Sequence, residues 1–347
     1  RVRSERETVD TVNVLGVLRG QDPELADEHV VIGAHMDHVG LGLRTGSRGG
    51  PEAQGEIHNG ADDNASGTAG LMEIARVLGE RRDELRRSVV FMAFSGEEWG
   101  LLGSRHYVDH PVLPKDDLVA MINMDMIGRS KNGYVLVEGM GTSPGFLELI
   151  ESVHADEGEG LSLSTADRPS SNSDHHPFYV AKIPVISFFT GLHDDYHMPS
   201  DDPVHINAEG GATIATMAGE TVRRLAMADE RPGFTQPDEA EPSSHAASSA
   251  SSGSGYRVVF GTSPDMGYQE EDGVRISGVR EGTPAAKAGL EPGDVIVGMD
   301  GQSIRNLQDY AVLLFAHQPG DEIAVTVRRG DEELTLQAVL EGKAGDS

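Results

Sequence analysis

The chain has no cysteine among its 347 residues. That excludes disulfides and thiolate metal sites. Positive charge is scarce: 28 Lys and Arg stand against 57 Asp and Glu, for a formal net charge of -29. A surface this acidic disfavours nucleic acids and anionic membranes as partners. Long apolar runs are missing too. None would span a bilayer, and no signal peptide is visible. The chain opens RVRSERETVD without an initiator Met. That fits a processed bacterial protein, with the periplasm, cell envelope or exterior as its expected location.

The length suggests about two domains. Composition breaks once, at residues 231–255, which read RPGFTQPDEAEPSSHAASSASSGSG. This Ser/Gly/Pro-rich stretch has little to bury and reads as a flexible linker. It separates a domain at residues 1–230 from a smaller one at 256–347. In the first, β-rich runs such as HVVIGAHM (29–36) and SVVFMAF (88–94) alternate with helical patterns. SGTAGLMEIARVLGERRDEL places Leu71, Ile74, Ala75 and Leu78 at helical spacing. Strands alternating with helices predict an α/β fold with a mixed, mostly parallel sheet. Ligands in such folds sit beyond the C-terminal ends of the strands.

The polar residues collect at those ends. VVIGAHMDH supplies His35 and Asp37, and HNGADDNASG supplies Asp62 and Asp63 before a helix start at Ser66. SGEEWG supplies Glu97 and Glu98, INMDMIG Asp125, SDHHPF Asp174 and His175, and DDYHMPSDD Tyr196 and His197. Taken alone, Glu97 and Glu98 are explained by solvation at a strand end. Together, a His, Asp and Glu set without Cys suits Zn²⁺ or another borderline divalent ion. One bridging carboxylate, with a His and a further carboxylate per ion, would build a two-metal site.

GAHMDH, GADDNASG, FSGEEWG, NMDMIG and YHMPSDD, in this order, resemble the metal-site motifs of the bacterial co-catalytic di-zinc aminopeptidases. Glutamate carboxypeptidases and glutaminyl cyclases are relatives of that family. The resemblance covers roughly residues 10–230. It implies an α/β/α sandwich holding two Zn²⁺ ions, or other divalent metals, and acting on peptides. By motif, Asp63 would bridge the ions. His35 and Asp125 would complete one, Glu98 and His197 the other. Glu97 would be the general base towards a metal-bridging hydroxide, Tyr196 would hold the oxyanion, and Asp37 would orient His35. The family's cis peptide would fall at Asp63–Asn64. His175 and His176 read as packing or outer contacts, His38 and His58 as surface residues. His193 is divided between the substrate side and the surface, and Trp99 between the pocket wall and the core.

The tail, with GVRISGVREGTPAAKAGLEPGDVIVGMDGQSI, resembles a PDZ domain in the permuted form of HtrA-type bacterial proteases. That implies binding of a peptide or protein C-terminus near Phe260-Gly261-Thr262. Thr262 stands where that loop usually carries an apolar residue. The leading expectation is a zinc aminopeptidase. The alternatives are a carboxypeptidase, with Arg129 a candidate for the substrate carboxylate, a glutaminyl cyclase, or a non-catalytic PDZ scaffold.

Overall fold

The computed structural model describes residues 10–43, 47–237, 258–264, 273–280, 282–304, 310, 313, 314, 317, 320–330 and 332–342. The chain divides into two compact units, Arg1–Ser249 and Ala250–Ser347.

In the first unit, seven strands form one sheet. They are β1 (Val14–Leu18), β2 (His29–His35), β3 (Ser88–Phe94), β4 (Leu118–Met124), β5 (Tyr134–Glu138), β6 (Ser162–Ala166) and β7 (Val185–Phe189). Their order is β1-β3-β2-β4-β7-β5-β6. The central strands β3, β2, β4 and β7 run parallel. β1 and β5 run against their neighbours β3 and β7. Every residue of β2 and β4 is buried, so these strands need apolar side chains on both faces.

The two faces feed two cores. Val30, Ile32 and Ala34 point to a core completed by α1 (Gly67–Glu80), α3 (Phe146–Glu157) and α5 (Ala208–Met227). Val31, Val90 and Met92 point to the other, with Tyr107 of α2 (Leu102–Asp109) and Phe178 of α4 (His175–Val180). The result is an α/β/α sandwich. In α1 the predicted stripe holds: Leu71, Ile74 and Leu78 are buried. Because the central strands are parallel, their C-terminal ends share one edge, and the residues singled out above lie there.

Residues 231–237, within the stretch read as a linker, are fastened to this unit. Arg231 donates to the carbonyls of Asp116 (2.6 Å) and Leu118 (2.7 Å). The Thr235 N–H donates to the Thr142 carbonyl at 2.8 Å. The rest of that stretch lies outside the described residues.

The second unit is β-rich. Its strands are β8 (Val258–Val259), β9 (Thr262–Pro264), β10 (Val274–Val279), β11 (Val295–Met299), β12 (Gln302–Ser303), β13 (Glu322–Arg329), β14 (Glu332–Val339) and β15 (Glu341–Gly342). The main sheet runs β14-β13-β11-β10-β9, with β12 on β11, and β15 pairs with β8. All of these pairings are antiparallel. The helix expected in PAAKAGL is α6 (Pro284–Ala288), which ends on Gly289 at φ 86°. The predicted hairpin is β13–β14. Most of the predicted helix NLQDYAVLLFAH and of the segment SPDMGYQEED lies outside the described residues.

One glycine locks α1 to the sheet edge. The Asn64 side chain donates to the Met124 carbonyl (3.0 Å) and accepts from the N–H groups of Gly67 (3.0 Å) and Met126 (3.2 Å). A Cβ on Gly67 would stand 2.3 Å from Asn64 Oδ1 and 2.6 Å from the Met124 carbonyl oxygen. Overpacking of this kind costs about 1–3 kcal/mol. Gly67→Ala is therefore expected to lower the urea midpoint by that amount of stability. An unchanged midpoint would contradict this packing.

Candidate metal centre

His35 closes β2. Its Nδ1 donates to the backbone carbonyl of Asp37 at 3.1 Å. That turns Nε2 towards Asp63 Oδ1 and Asp125 Oδ1, each 3.3 Å away. Asp125 is the first residue past β4, and its Oδ2 accepts from Ser173 Oγ at 2.6 Å. Asp63 lies in the turn before α1, and the peptide between it and Asn64 is cis. Its second oxygen, Oδ2, stands 3.1 Å from His197 Nε2. His197 Nε2 is also 3.0 Å from Glu98 Oε2. The two oxygens of Asp63 thus face two groups of donors.

The sequence reading omits a member of the second group. His38 Nδ1 is 2.9 Å from Glu98 Oε1 and 3.6 Å from Asp63 Oδ2. Ligand atoms of His38, Asp63, Glu98 and His197 lie within 4.8 Å of one another. Those of His35, Glu97 and Asp125 do so as well. The adjacent glutamates therefore serve different groups. Gly96, at φ 72°, makes the turn that presents them. The Asp37 carboxylate accepts the N–H groups of Glu97 (3.1 Å) and Glu98 (3.4 Å). Asp37 was expected to orient His35 through the other ring nitrogen, and its backbone carbonyl does so. The Asp37 carboxylate, 3.9 Å from Nδ1, is engaged with the glutamate turn.

Burial and mutual charge set the protonation preferences. Burial pushes the Glu97 carboxyl well above its usual range, with His35 opposing and Glu98 adding to the rise. Burial acts the same way on Glu98, but the charge of His197 and hydrogen bonds from His197 and His38 outweigh it and hold Glu98 low. Asp63 is held well below its usual range, its burial overcome by His197 and His35. His35 and His197 lie well above theirs, since neighbouring carboxylates overcome burial. Tyr196 is raised by burial and by four carboxylates: Asp63, Glu98, Glu97 and Asp125. Its ring stacks on His197 with centroids 3.9 Å apart. Asp174 is fully buried and pushed up to about 7, by burial first.

Other candidates fall outside both donor groups. His175 is buried, with Nε2 2.9 Å from the Ser170 carbonyl, and burial pushes it down to about 3. His176 packs near the Tyr179 ring. His58 is buried, with Nε2 2.8 Å from Ser47 Oγ, so it is not the surface residue expected. His193 Nε2 lies 3.2 Å from Asp62 Oδ2. Trp99 is 42% exposed, which removes the core-packing reading.

A buried aspartate joins the segments of the centre. Asp201 Oδ2 accepts the N–H groups of Asp62 (2.9 Å) and Asp63 (3.1 Å). Its Oδ1 accepts from Arg129 at 3.0 Å, and Arg129 also donates to Asp195 at 2.8 Å. The segments carrying Asp63, Asp125 and His197 are thereby tied together. Sequence reasoning thus left Asp201 unassigned and read His38 as a surface residue. His38 was visible in HMDH and Asp201 in YHMPSDD, but each needed a distant partner to acquire a role.

The sequence matches Peptidase family M28 over residues 13–222 and the PDZ domain over residues 261–340. It is 35% identical over 180 residues to Aminopeptidase YwaD of Bacillus subtilis, covering 48% of this chain and 38% of that protein. It is 28% identical over 180 residues to Leupeptin-inactivating enzyme 1 of Streptomyces exfoliatus, covering 52% and 36%. The chain thus spans well under half the length of these two relatives. A Zn-dependent exopeptidase from Parabacteroides distasonis shares the fold, with a TM-score of 0.50, 22% identity, and coverage of 61% of this chain and 77% of that one.

Losing the Asp201 carboxylate would leave two buried N–H groups and part of Arg129 unsatisfied, at about 1–3 kcal/mol for each group. Asp201→Ala is expected to destabilise the metal-free chain by about 3 kcal/mol or more, and Arg129→Ala by less, since Asp201 keeps its backbone donors. Urea unfolding of both variants checks this. The reverse order would contradict it.

Proposed function

The chain belongs to Peptidase family M28, and on that premise we propose that it is a metal-dependent exopeptidase removing N-terminal amino acids from peptides. The observation that carries this reading is the pair of donor groups meeting at Asp63, with Glu97 beside them. The donors suit Zn²⁺ in type and in spacing. Ligands of one tetrahedral ion with bonds of 2.0–2.1 Å stand about 3.3 Å apart. His35 Nε2 is 3.3 Å from both Asp63 and Asp125, and His197 Nε2 is 3.1 Å from Asp63.

In this reading His35, Asp63 and Asp125 would hold one Zn²⁺, and Asp63, Glu98 and His197 would hold the other. Such ions supply Lewis acidity to the scissile carbonyl and to the attacking water. Glu97, buried in the His35 group and not needed to complete it, would receive a proton from that water and return it to the departing amine. Tyr196, kept protonated by burial and negative neighbours, donates a hydrogen bond to the developing oxyanion. Asp37 positions Glu97 by holding its N–H.

Carboxylates beside the reacting bond favour a substrate with a free α-ammonium group. The net charge of -29 adds long-range attraction for cations. The carboxypeptidase alternative needs a cation for the substrate carboxylate, and Arg129, the candidate for it, is bound to Asp195 and Asp201. In the PDZ unit, β9 forms one edge of the main sheet, where an extended peptide would add as a further strand. Export to the periplasm, envelope or exterior remains part of the proposal.

Two experiments test it. The first compares one leucyl peptide with its N-acetylated form. The free peptide is expected to be cleaved and the blocked one left intact, and equal rates would refute the aminopeptidase assignment. The second separates the glutamates. Glu97→Gln is expected to keep its Zn²⁺ content and lose roughly 10²–10⁴-fold in turnover, while Glu98→Gln loses metal. Elemental analysis with kinetics reads both, and the opposite pattern would exchange the two roles.

A further inference from the structure

The family motifs provide one imidazole and two carboxylates on the His197 side of Asp63. We propose that His38 is a fourth protein donor there, so that His38, Asp63, Glu98 and His197 close around one ion. The proposal rests on the metal-site reading above and adds to it a residue outside the five-ligand set.

The geometry makes His38 equivalent to His197. His38 Nδ1 stands 2.9 Å from Glu98 and 3.6 Å from Asp63. His197 Nε2 stands 3.0 Å and 3.1 Å from the same two side chains. These separations bracket the roughly 3.3 Å between ligands of a tetrahedral Zn²⁺. The two rings meet edge to face, at 82° with centroids 5.5 Å apart, as imidazoles converging on a shared point can. The His38 side chain is only 10% exposed. Its place is made by Gly60, where a Cβ would lie 2.7 Å from the His38 ring. Gly60 stands just before the Asp62–Asp63 turn and has φ 59°, so bare backbone lets the ring reach the carboxylates.

The two halves of the centre then differ. With four protein donors the His38 half would reach a shared water only by becoming five-coordinate, whereas His35, Asp63 and Asp125 leave a tetrahedral position open beside Glu97. The His38 half, with one donor more, fills first and empties last.

The competing role for His38 is a hydrogen bond to Glu98 alone. Asparagine separates the two roles: its amide can donate to Glu98 but is a poor Zn²⁺ ligand. The test is Zn²⁺ titration of the full metal-free chain against a chromogenic chelator, for the parent, His38→Ala and His38→Asn. Outer contacts to a ligand typically change metal affinity 10–100-fold. Both variants are expected to lose more than about 100-fold at the tighter ion and to keep the weaker one. A smaller loss in His38→Asn would overturn the proposal. The parent loaded with one equivalent of Co²⁺ gives a readout independent of variant folding. In the paramagnetically shifted proton NMR spectrum of the same sample, two exchangeable imidazole N–H signals at the first-filled ion support ligation by both His38 and His197, and a single such signal overturns it. A parent that binds no Zn²⁺ would overturn the metal-site reading itself, and this proposal with it.

Discussion

Asp63, Glu97, Glu98 and Asp125 converge at one sheet edge, where little water reaches them. Two of the four, Asp63 and Glu97, are buried outright. Unpaired carboxylates in such a place cost several kcal/mol each. Imidazoles of His35, His38 and His197 stand 3.1–3.6 Å from Asp63. Cations bound among the carboxylates would offset their charge, and would invert the local preference for protonation. The concentration of negative charge is thus both the main liability of the fold and the source of its chemistry.

The surrounding structure bears that liability through rigidity. Parallel strands bring their ends to one edge, so residues ninety positions apart, such as His35 and Asp125, meet at 3.3 Å. Hydrogen bonds then fix each carrier segment. Asn64 fastens the Asp63 turn to β4, Asp37 fastens the glutamate turn, and Asp201 with Arg129 ties in the loop of His197. These contacts recruit backbone N–H and C=O groups more than side chains. The site is therefore held by the chain path itself.

That distinction explains what could be read in advance. The apolar runs at β2 and β3 and the helical stripe of α1 follow from periodicity, since burial on one or both faces dictates side-chain type. The clustering of His35, Asp63, Glu98, Asp125 and His197 followed from their strand-end addresses together with the family motifs. His38 was misjudged because a histidine near a cleft looks the same in sequence whether it faces solvent or Glu98. Asp37 was placed against His35, but whether its carboxylate or its carbonyl makes the contact needs coordinates. His58 escaped for the same reason: its partner, Ser47, is placed by a loop fold that no local pattern encodes.

The central claim is that the two oxygens of Asp63 face two cation sites. Anomalous-difference diffraction at the zinc edge, from crystals of the chain grown with Zn²⁺, tests this most directly. The account predicts two peaks flanking Asp63, one against His35 and Asp125 and the other against Glu98 and His197. A single peak, or peaks remote from Asp63, would contradict it.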